Sequence, residues 1–149
     1  YIRNFDGGMI ILTRDTHKDD YMDTYEGKNL PVEHCLKYSP GWRICPEVWT
    51  EVVTWENEAP KFRKVLVVDK PYFNGAKEIK EQLGEMSYIS ILHVAGTVTE
   101  ICVISNVLGL KPYFPDVDFV VHSDMCAGLT EETHEAALKV MRSCQVKVV

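Results

Sequence analysis

Five short apolar segments recur along the chain and are rich in β-branched residues. They cover residues 9–13, 65–68, 89–95, 119–121 and 146–149. None shows the polar alternation of a half-exposed strand, and continuous apolar runs of this length are typical of strands buried on both faces of a parallel sheet. The pattern therefore predicts five mostly parallel strands.

Three segments between these strands have the spacing of amphipathic helices, at residues 76–83, 100–110 and 131–143. Thr130 precedes the last of them and is a suitable N-cap, because its hydroxyl can accept a hydrogen bond from the first helical turn. Alternation of strands and helices predicts an α/β fold, with a doubly wound, mostly parallel sheet between layers of helices. At 149 residues, the chain is expected to form one domain over residues 1–149.

Residues 14–63 do not follow this alternation. The segment contains four of the seven prolines and all three tryptophans, Trp42, Trp49 and Trp55. A loop of this length inside a compact domain is usually functional. We therefore expect candidate binding residues here.

Composition narrows the class of protein. The net charge of −6 argues against a nucleic-acid partner, which would favour a basic surface. No apolar run approaches the length of a membrane span, and residues 1–6 lack the features of a signal peptide. Five cysteines do not form the dense, even pattern of a secreted disulfide scaffold. We expect a cytoplasmic protein that acts on a small molecule and binds neither nucleic acid nor membrane.

Reactive residue types follow three of the predicted strands. Asp15 and His17 follow the first, Lys70 follows the second, and residues 97–102 follow the third. Because the carboxyl ends of parallel strands open onto one edge of a sheet, where such folds bind ligands, we expect these groups to converge.

Cys102 is a candidate nucleophile because it falls where a strand turns into a helix. The positive end of a helix favours a thiolate, and backbone N–H groups there can stabilise an oxyanion. The ammonium of Lys70 would favour the same thiolate. Each residue also has an ordinary interpretation, since cysteine is often a small buried side chain and lysine is usually solvated.

Asp15, His17 and His34 form a candidate metal site. One carboxylate and two imidazoles suit Zn²⁺, with Fe²⁺ or Mn²⁺ as alternatives, and leave positions for water. The other three histidines, His93, His122 and His134, are expected to be core, surface or supporting residues rather than ligands.

Four parts of the chain together resemble the nicotinamidase branch of the isochorismatase-like cysteine hydrolases. They are Thr-Arg-Asp-Thr-His at 13–17, Leu-Pro-Val-Glu-His-Cys at 30–35, Lys70, and Gly-Thr-Val-Thr-Glu-Ile-Cys-Val at 96–103. The likeness runs in the same order over nearly all of the chain from Gly8 onwards. It implies that Cys102 is the nucleophile, that Lys70 activates it, and that Asp15, His17 and His34 hold one divalent metal.

The resemblance also implies a cis peptide bond between Thr97 and Val98 and an oxyanion hole formed by the N–H groups of Val98 and Cys102. The expected reaction is hydrolysis of a small amide through a thioester, with nicotinamide, converted to nicotinate and ammonia, as the leading substrate. The metal would orient a ring nitrogen of the substrate or activate water, and Trp42 would line the pocket. A homo-oligomer is expected.

Three alternatives remain open from the residues. Two histidines and a carboxylate also form the facial triad of non-haem Fe(II) oxygenases, which need neither Cys102 nor Lys70. A non-catalytic binding protein could keep the same fold, and a family hydrolase could use a different small substrate. Release of ammonia from nicotinamide would distinguish the amide hydrolase from a non-catalytic protein. Dependence on dioxygen would identify an oxygenase.

The family's third catalytic residue is an aspartate at the end of an earlier strand, and no residue from 1 to 149 matches it. In the doubly wound order 3-2-1-4-5-6, the five strands would be numbers two to six, with the central strand before Tyr1. We expect roughly 25–40 preceding residues, enough for a strand, a helix and their connections. Without that strand, the five strands should form two half-sheets.

Overall fold

The computed structural model describes residues 1–84 and 88–149, and the chain divides into two compact units. The first unit is Tyr1–Tyr72 and the second is Phe73–Val149. We describe each by itself. A single domain over the whole chain stays a prediction.

The first unit contains a two-stranded parallel sheet. Strand β1 (Met9–Asp15) pairs with β2 (Lys64–Lys70) in a register that runs from Met9 opposite Lys64 to Asp15 opposite Lys70. The same unit contains the short helix α1 (Tyr25–Asn29) and the longer α2 (Pro46–Glu58). The paired strand ends therefore place Asp15 and Lys70 side by side.

Helix α2 lies inside residues 14–63, a segment in which the sequence pattern did not locate a helix. Pro46 occupies the first turn, where the missing N–H costs nothing. Val52 and Trp55, three residues apart, are fully buried, and the indole N–H of Trp55 donates to the Phe5 carbonyl at 2.8 Å. The segment is rich in Val, Thr and Trp, whose weak helix propensity is outweighed here by burial of one face.

The second unit contains a three-stranded parallel sheet in the order β3-β4-β5. The strands are β3 (Ile91–Thr97), β4 (Asp118–Ala127) and β5 (Lys147–Val148). Its helices are α3 (Ala76–Leu83), α4 (Ile104–Leu110) and α5 (Glu131–Ser143). The buried side chains that fill its core come from α3, α4, β4 and α5 and include Ile79, Val107, Phe119, Leu138 and Met141.

The α/β class and the parallel strands predicted from the sequence are confirmed, and helices α3 and α5 have the predicted bounds. Thr130 caps α5 by accepting a hydrogen bond from the Thr133 N–H at 3.1 Å. Among the described residues, the strands form a two-stranded and a three-stranded sheet, matching the expected division.

One predicted helix has a different start. Residues 100–110 were expected to be α-helical throughout, but Thr99–Val103 forms a single π-helical turn before α4 begins at Ile104. Such turns are frequent at functional sites. Within residues 1–84 and 88–149, no helix is long and apolar enough to cross a membrane.

Candidate metal centre and cysteine turn

Asp15, His17 and His34 come together in the first unit. The ligand atoms that they offer lie within 4.8 Å of one another. Asp15 ends β1, and the backbone after it is tied to the segment that carries His34. The His17 N–H donates to the Cys35 carbonyl at 3.1 Å, and the Lys37 N–H donates to the His17 carbonyl at 2.8 Å. These backbone bonds bridge positions far apart in the chain and set the two imidazoles together.

The ring of His34 is oriented by a backbone hydrogen bond. Its Nδ1 lies 2.8 Å from the carbonyl oxygen of Val32. Because a carbonyl can only accept, this contact places the hydrogen on Nδ1 and leaves the lone pair on Nε2. Metal-binding histidines are commonly fixed in this way. His34 is therefore arranged to ligate through Nε2.

A further carboxylate, that of Glu26, lies beside this cluster and was missed by the sequence reasoning. Its Oε1 is 3.7 Å from Nε2 of His17. Both atoms are buried and neither has a hydrogen-bond partner. Bonds of about 2.0–2.2 Å from one metal to an imidazole nitrogen and a carboxylate oxygen leave those atoms about 3–4 Å apart. The residues present therefore fit a divalent cation.

Gly27 allows Glu26 to reach this position. A Cβ at residue 27 would lie 2.1 Å from the Tyr21 carbonyl oxygen, so only glycine lets α1 approach this backbone. Thr24 caps the same helix by accepting from the Gly27 N–H at 3.0 Å. Tyr21 is itself buried, with its ring centroid 4.5 Å from that of His17 and 5.0 Å from that of His34.

Burial sets the protonation state of His17. The side chain is 6% exposed, and its desolvation lowers the pKa of the imidazole. His34 lowers the pKa further, whereas the negative charge of Glu26 acts in the opposite direction. The neutral imidazole that a metal requires is therefore favoured.

Lys70 is paired with Asp15 across the two strands of the first unit. The two residues are opposite each other in the β1–β2 register, and the ammonium of Lys70 forms an ion pair with Oδ1 of Asp15. Lys70 is only 3% exposed and also donates to the Tyr72 carbonyl at 3.2 Å. Its solvated-loop interpretation is wrong, because this lysine is buried. Its action on Cys102 stays a prediction.

Trp42 lies next to the metal cluster. Its indole N–H donates to Oγ1 of Thr16 at 2.9 Å, and Thr16 stands between Asp15 and His17 in the chain. The guanidinium of Arg14 stacks on the indole, 3.4 Å from its centroid. Trp42 is therefore held rigidly on the strand end that carries the cluster. Its contact with substrate stays a prediction.

Cys102 lies in the second unit, on the π turn that follows β3. The Thr97–Val98 peptide bond is cis, at the position where the resemblance implies one. The Val98 carbonyl accepts from the N–H groups of Ile101 and Val103, each at 3.1 Å, and these bonds close the turn. Gly96, with a φ of 137°, supplies a backbone conformation that other residues rarely adopt. The half-buried thiol of Cys102 sits on this ordered turn.

Asn106 fixes the backbone at Cys102. Its Nδ2 donates to the carbonyls of Cys102, at 2.7 Å, and Phe73, at 2.9 Å. Its Oδ1 accepts from the Gly75 N–H at 2.8 Å. The sequence reasoning missed this residue, although an asparagine on the mostly apolar helix α4 was an available signal.

Thr99 and Glu100 tie the same turn to the start of α5. The fully buried Thr99 has its Oγ1 2.8 Å from Nδ1 of His134. Glu100 Oε1 accepts from the Leu129 N–H at 2.8 Å and from the Thr133 hydroxyl at 2.6 Å. These contacts, chiefly the one with Thr133, lower the pKa of Glu100. His134 is a supporting residue, as expected.

The family model described as "Isochorismatase domain" matches residues 3–149. The chain belongs to the isochorismatase family. The sequence resemblance to this family is thereby confirmed. A search of curated proteins found no match.

Solved structures similar to this isochorismatase-family chain include several nicotinamidases. The nicotinamidase/pyrazinamidase PncA of Bacillus subtilis is 21% identical, with a TM-score of 0.73 over 95% of this chain and 74% of its own. The pyrazinamidase/nicotinamidase of Streptococcus mutans UA159 is 18% identical, with a TM-score of 0.74 over 95% and 75%. The pyrazinamidase of Pyrococcus horikoshii, solved in complex with zinc, is 21% identical, with a TM-score of 0.65 over 95% and 74%. At these identities the likeness shows a shared fold.

Proposed function

We propose that the chain is a cysteine amidohydrolase that converts a small aromatic amide, with nicotinamide as the leading substrate, to the acid and ammonia. The observation that carries this proposal is Cys102 on an ordered turn after β3 in an isochorismatase-family chain. The same chain also groups Asp15, His17 and His34, with their ligand atoms within 4.8 Å of one another. The nicotinamidase names of similar structures support the choice of substrate. A homo-oligomer in the cytoplasm is part of the proposal.

In this reaction, the Cys102 thiolate attacks the amide carbonyl, and the N–H groups of Val98 and Cys102 donate to the oxygen as it gains negative charge. The C–N bond then breaks as the amide nitrogen takes up a proton and leaves as ammonia, and water hydrolyses the thioester. Lys70 favours the thiolate over the thiol. The family resemblance assigns the proton transfer to an aspartate on an earlier strand.

Asp15, His17 and His34 hold one divalent metal in the proposed enzyme, and the orphaned oxygen of Glu26 adds a fourth protein ligand. When bound, the metal supplies a Lewis acid for a substrate ring nitrogen or for water. Zinc is the leading candidate because this nitrogen and oxygen donor set suits it and because the similar Pyrococcus horikoshii structure contains zinc. Trp42, held beside the cluster, forms one wall of the substrate pocket.

The proposal is tested by measuring ammonia release from nicotinamide with the zinc-loaded protein. We expect Cys102→Ala to lower kcat by at least about 10³-fold, because removal of a covalent nucleophile eliminates the main reaction path. Cys144→Ala, at another half-buried cysteine, is the matched control and should keep activity. Activity of Cys102→Ala within a few-fold of wild type would rule out the thioester path.

Alkylation at pH 7 tests the state of the nucleophile. Cys102 should react faster than Cys126, because burial raises the pKa of Cys126 and keeps it a neutral thiol. Lys70→Met should slow alkylation of Cys102, whereas Lys64→Met, at the exposed start of the same strand, should not. Peptide mass spectrometry gives both rates, and an unchanged rate in Lys70→Met would remove the activating role.

A further inference from the structure

Two histidines outside the site described above face each other on neighbouring strands of the second unit. Nδ1 of His93, on β3, lies 2.9 Å from Nε2 of His122, on β4. Their ring centroids are 5.1 Å apart, with an interplanar angle of 31°. The two imidazole nitrogens are thus close enough for both to contact the same atom.

An irregular stretch of β4 begins at this contact. His93 is opposite Val120 in the parallel register, but the pairing then shifts between Val94 and Gly96. Over that interval β4 advances from Val121 to Cys126, so it contains extra residues and bulges. His122 is the first residue of the bulge. Side chains two residues apart on a strand share a face, so His122 follows Val120 on the side of the sheet that His93 occupies.

The separation of the two nitrogens suits a chelated metal. With metal–nitrogen bonds of about 2.0–2.1 Å, two imidazoles on one ion have nitrogens about 2.9 Å apart at a right angle and about 3.3 Å apart at a tetrahedral angle. Imidazole is a preferred ligand of Ni²⁺, Cu²⁺ and Zn²⁺, and Ni²⁺ and Cu²⁺ favour right-angled geometry. To aim both lone pairs at one ion, each ring must rotate away from its hydrogen-bonded orientation.

Chelation at this pair requires no redox step. In the metal-free pair, one ring donates its N–H to the lone pair of the other. When the donor ring carries that hydrogen on its other nitrogen instead, both facing nitrogens have lone pairs, and the pair stays neutral. Water completes the coordination of the ion.

The surroundings favour a cation. His93 is exposed and His122 is half-buried, so a hydrated ion can reach both rings. The exposed carboxylate of Asp124 is two residues from His122 and acts on it electrostatically. Burial and the proximity of His93 lower the pKa of His122, which keeps its imidazole neutral at pH 7.

We propose that His93 and His122 form a divalent transition-metal site, separate from the Asp15, His17 and His34 cluster, that binds Ni²⁺ or Cu²⁺ through two imidazoles and water. The site is independent of the amidohydrolase proposal. It differs from the sequence-based expectation that these two histidines are not ligands.

Ni²⁺ is the probe, because it does not oxidise the cysteines. Calorimetry measures Ni²⁺ binding to protein that has no histidine tag. This background variant also carries His17→Ala and His34→Ala, which remove the first cluster. We expect one Ni²⁺ per chain and at least about a tenfold loss of affinity on adding His93→Gln or His122→Gln, because a chelate loses its second anchor. The double replacement should be little worse than either single one. His134→Gln is the matched control and should bind Ni²⁺ with the same affinity as the background variant.

Paramagnetic broadening in nuclear magnetic resonance spectra gives a second readout. Substoichiometric Ni²⁺ should broaden the ring signals of His93 and His122 before that of His134. If the background variant does not fold, zinc-loaded wild type and zinc-loaded His93→Gln are compared in the same titration. Equal Ni²⁺ affinity with and without His93, or broadening centred on His134, would overturn the proposal.

Discussion

At the scale of single residues, Glu26 acquires its chemistry from its surroundings. Five carboxylates lie between His17 and His34: Asp19, Asp20, Asp23, Glu26 and Glu33. Of these five, only Glu26 has a buried oxygen without a hydrogen-bond partner beside an imidazole nitrogen that also lacks one. A buried carboxylate is costly unless it is paired, and a divalent cation between these two atoms would satisfy both.

We therefore expect Glu26→Gln to weaken zinc binding by at least about tenfold, because the amide supplies a weaker, uncharged oxygen. Competition against a chromophoric chelator at pH 7.5 measures the change. Glu33→Gln removes an exposed carboxylate next to His34 and should leave the affinity unchanged. Equal losses in the two variants would mean that only the general negative potential matters.

At the scale of secondary-structure elements, the cysteine turn is held by side chains from neighbouring elements. Asn106 on α4 binds the carbonyl of Cys102 and the 73–75 segment, while Thr99 and Glu100 bind the start of α5. A π turn lacks the regular bonding of an α-helix, so these side-chain contacts determine where the Cys102 backbone lies.

Asn106→Leu tests this arrangement. The change keeps the approximate size of the side chain but leaves the buried Gly75 N–H without its acceptor, and it should cost about 1–3 kcal/mol of unfolding free energy. Urea denaturation measures this loss. The alkylation rate of Cys102 in the folded protein should also change. Ser105→Ala, next to it on α4, is the control, and a result for Asn106→Leu no larger than for the control would contradict the positioning role.

At the scale of the whole molecule, the chain divides into two units that each carry part of the proposed chemistry. The metal cluster and Lys70 belong to the first, and the cysteine turn and the His93–His122 pair belong to the second. Each unit also has a histidine whose pKa burial lowers, His17 in the first and His122 in the second. Stability should therefore depend on pH in both.

The sign of this dependence follows from proton binding. Below the ordinary histidine pKa of 6.5, the unfolded chain takes up protons that folded His17 and His122 resist. The unfolded state then binds more protons, so the unfolding free energy of the metal-free protein should fall as the pH drops from 7.5 to 5.5. Thermal unfolding across this range is the measurement. His17→Gln should make the unfolding free energy less dependent on pH. An unfolding free energy that rises on acidification would contradict the prediction.

Much of the architecture follows from local sequence. The apolar runs located the five strands that the structure describes, and the sequence predicted helix α5 with its bounds and its Thr130 cap. Both depend on residues within a few positions of one another. The motifs at 13–17, 30–35 and 96–103 were sufficient to recognise the family and to select Asp15, His17, His34 and Cys102 as candidates. The roles of these residues remain predictions.

Tertiary structure decided which distant groups meet. Helix α2 exists because Val52 and Trp55 are buried, and Lys70 pairs with Asp15 because the β1–β2 register places them opposite each other. Glu26 reaches His17 through a close approach at Gly27, and the β3–β4 register brings His122 near His93. Each contact joins residues through packing or strand register. No local pattern encodes such distances, because they depend on how the folded elements pack.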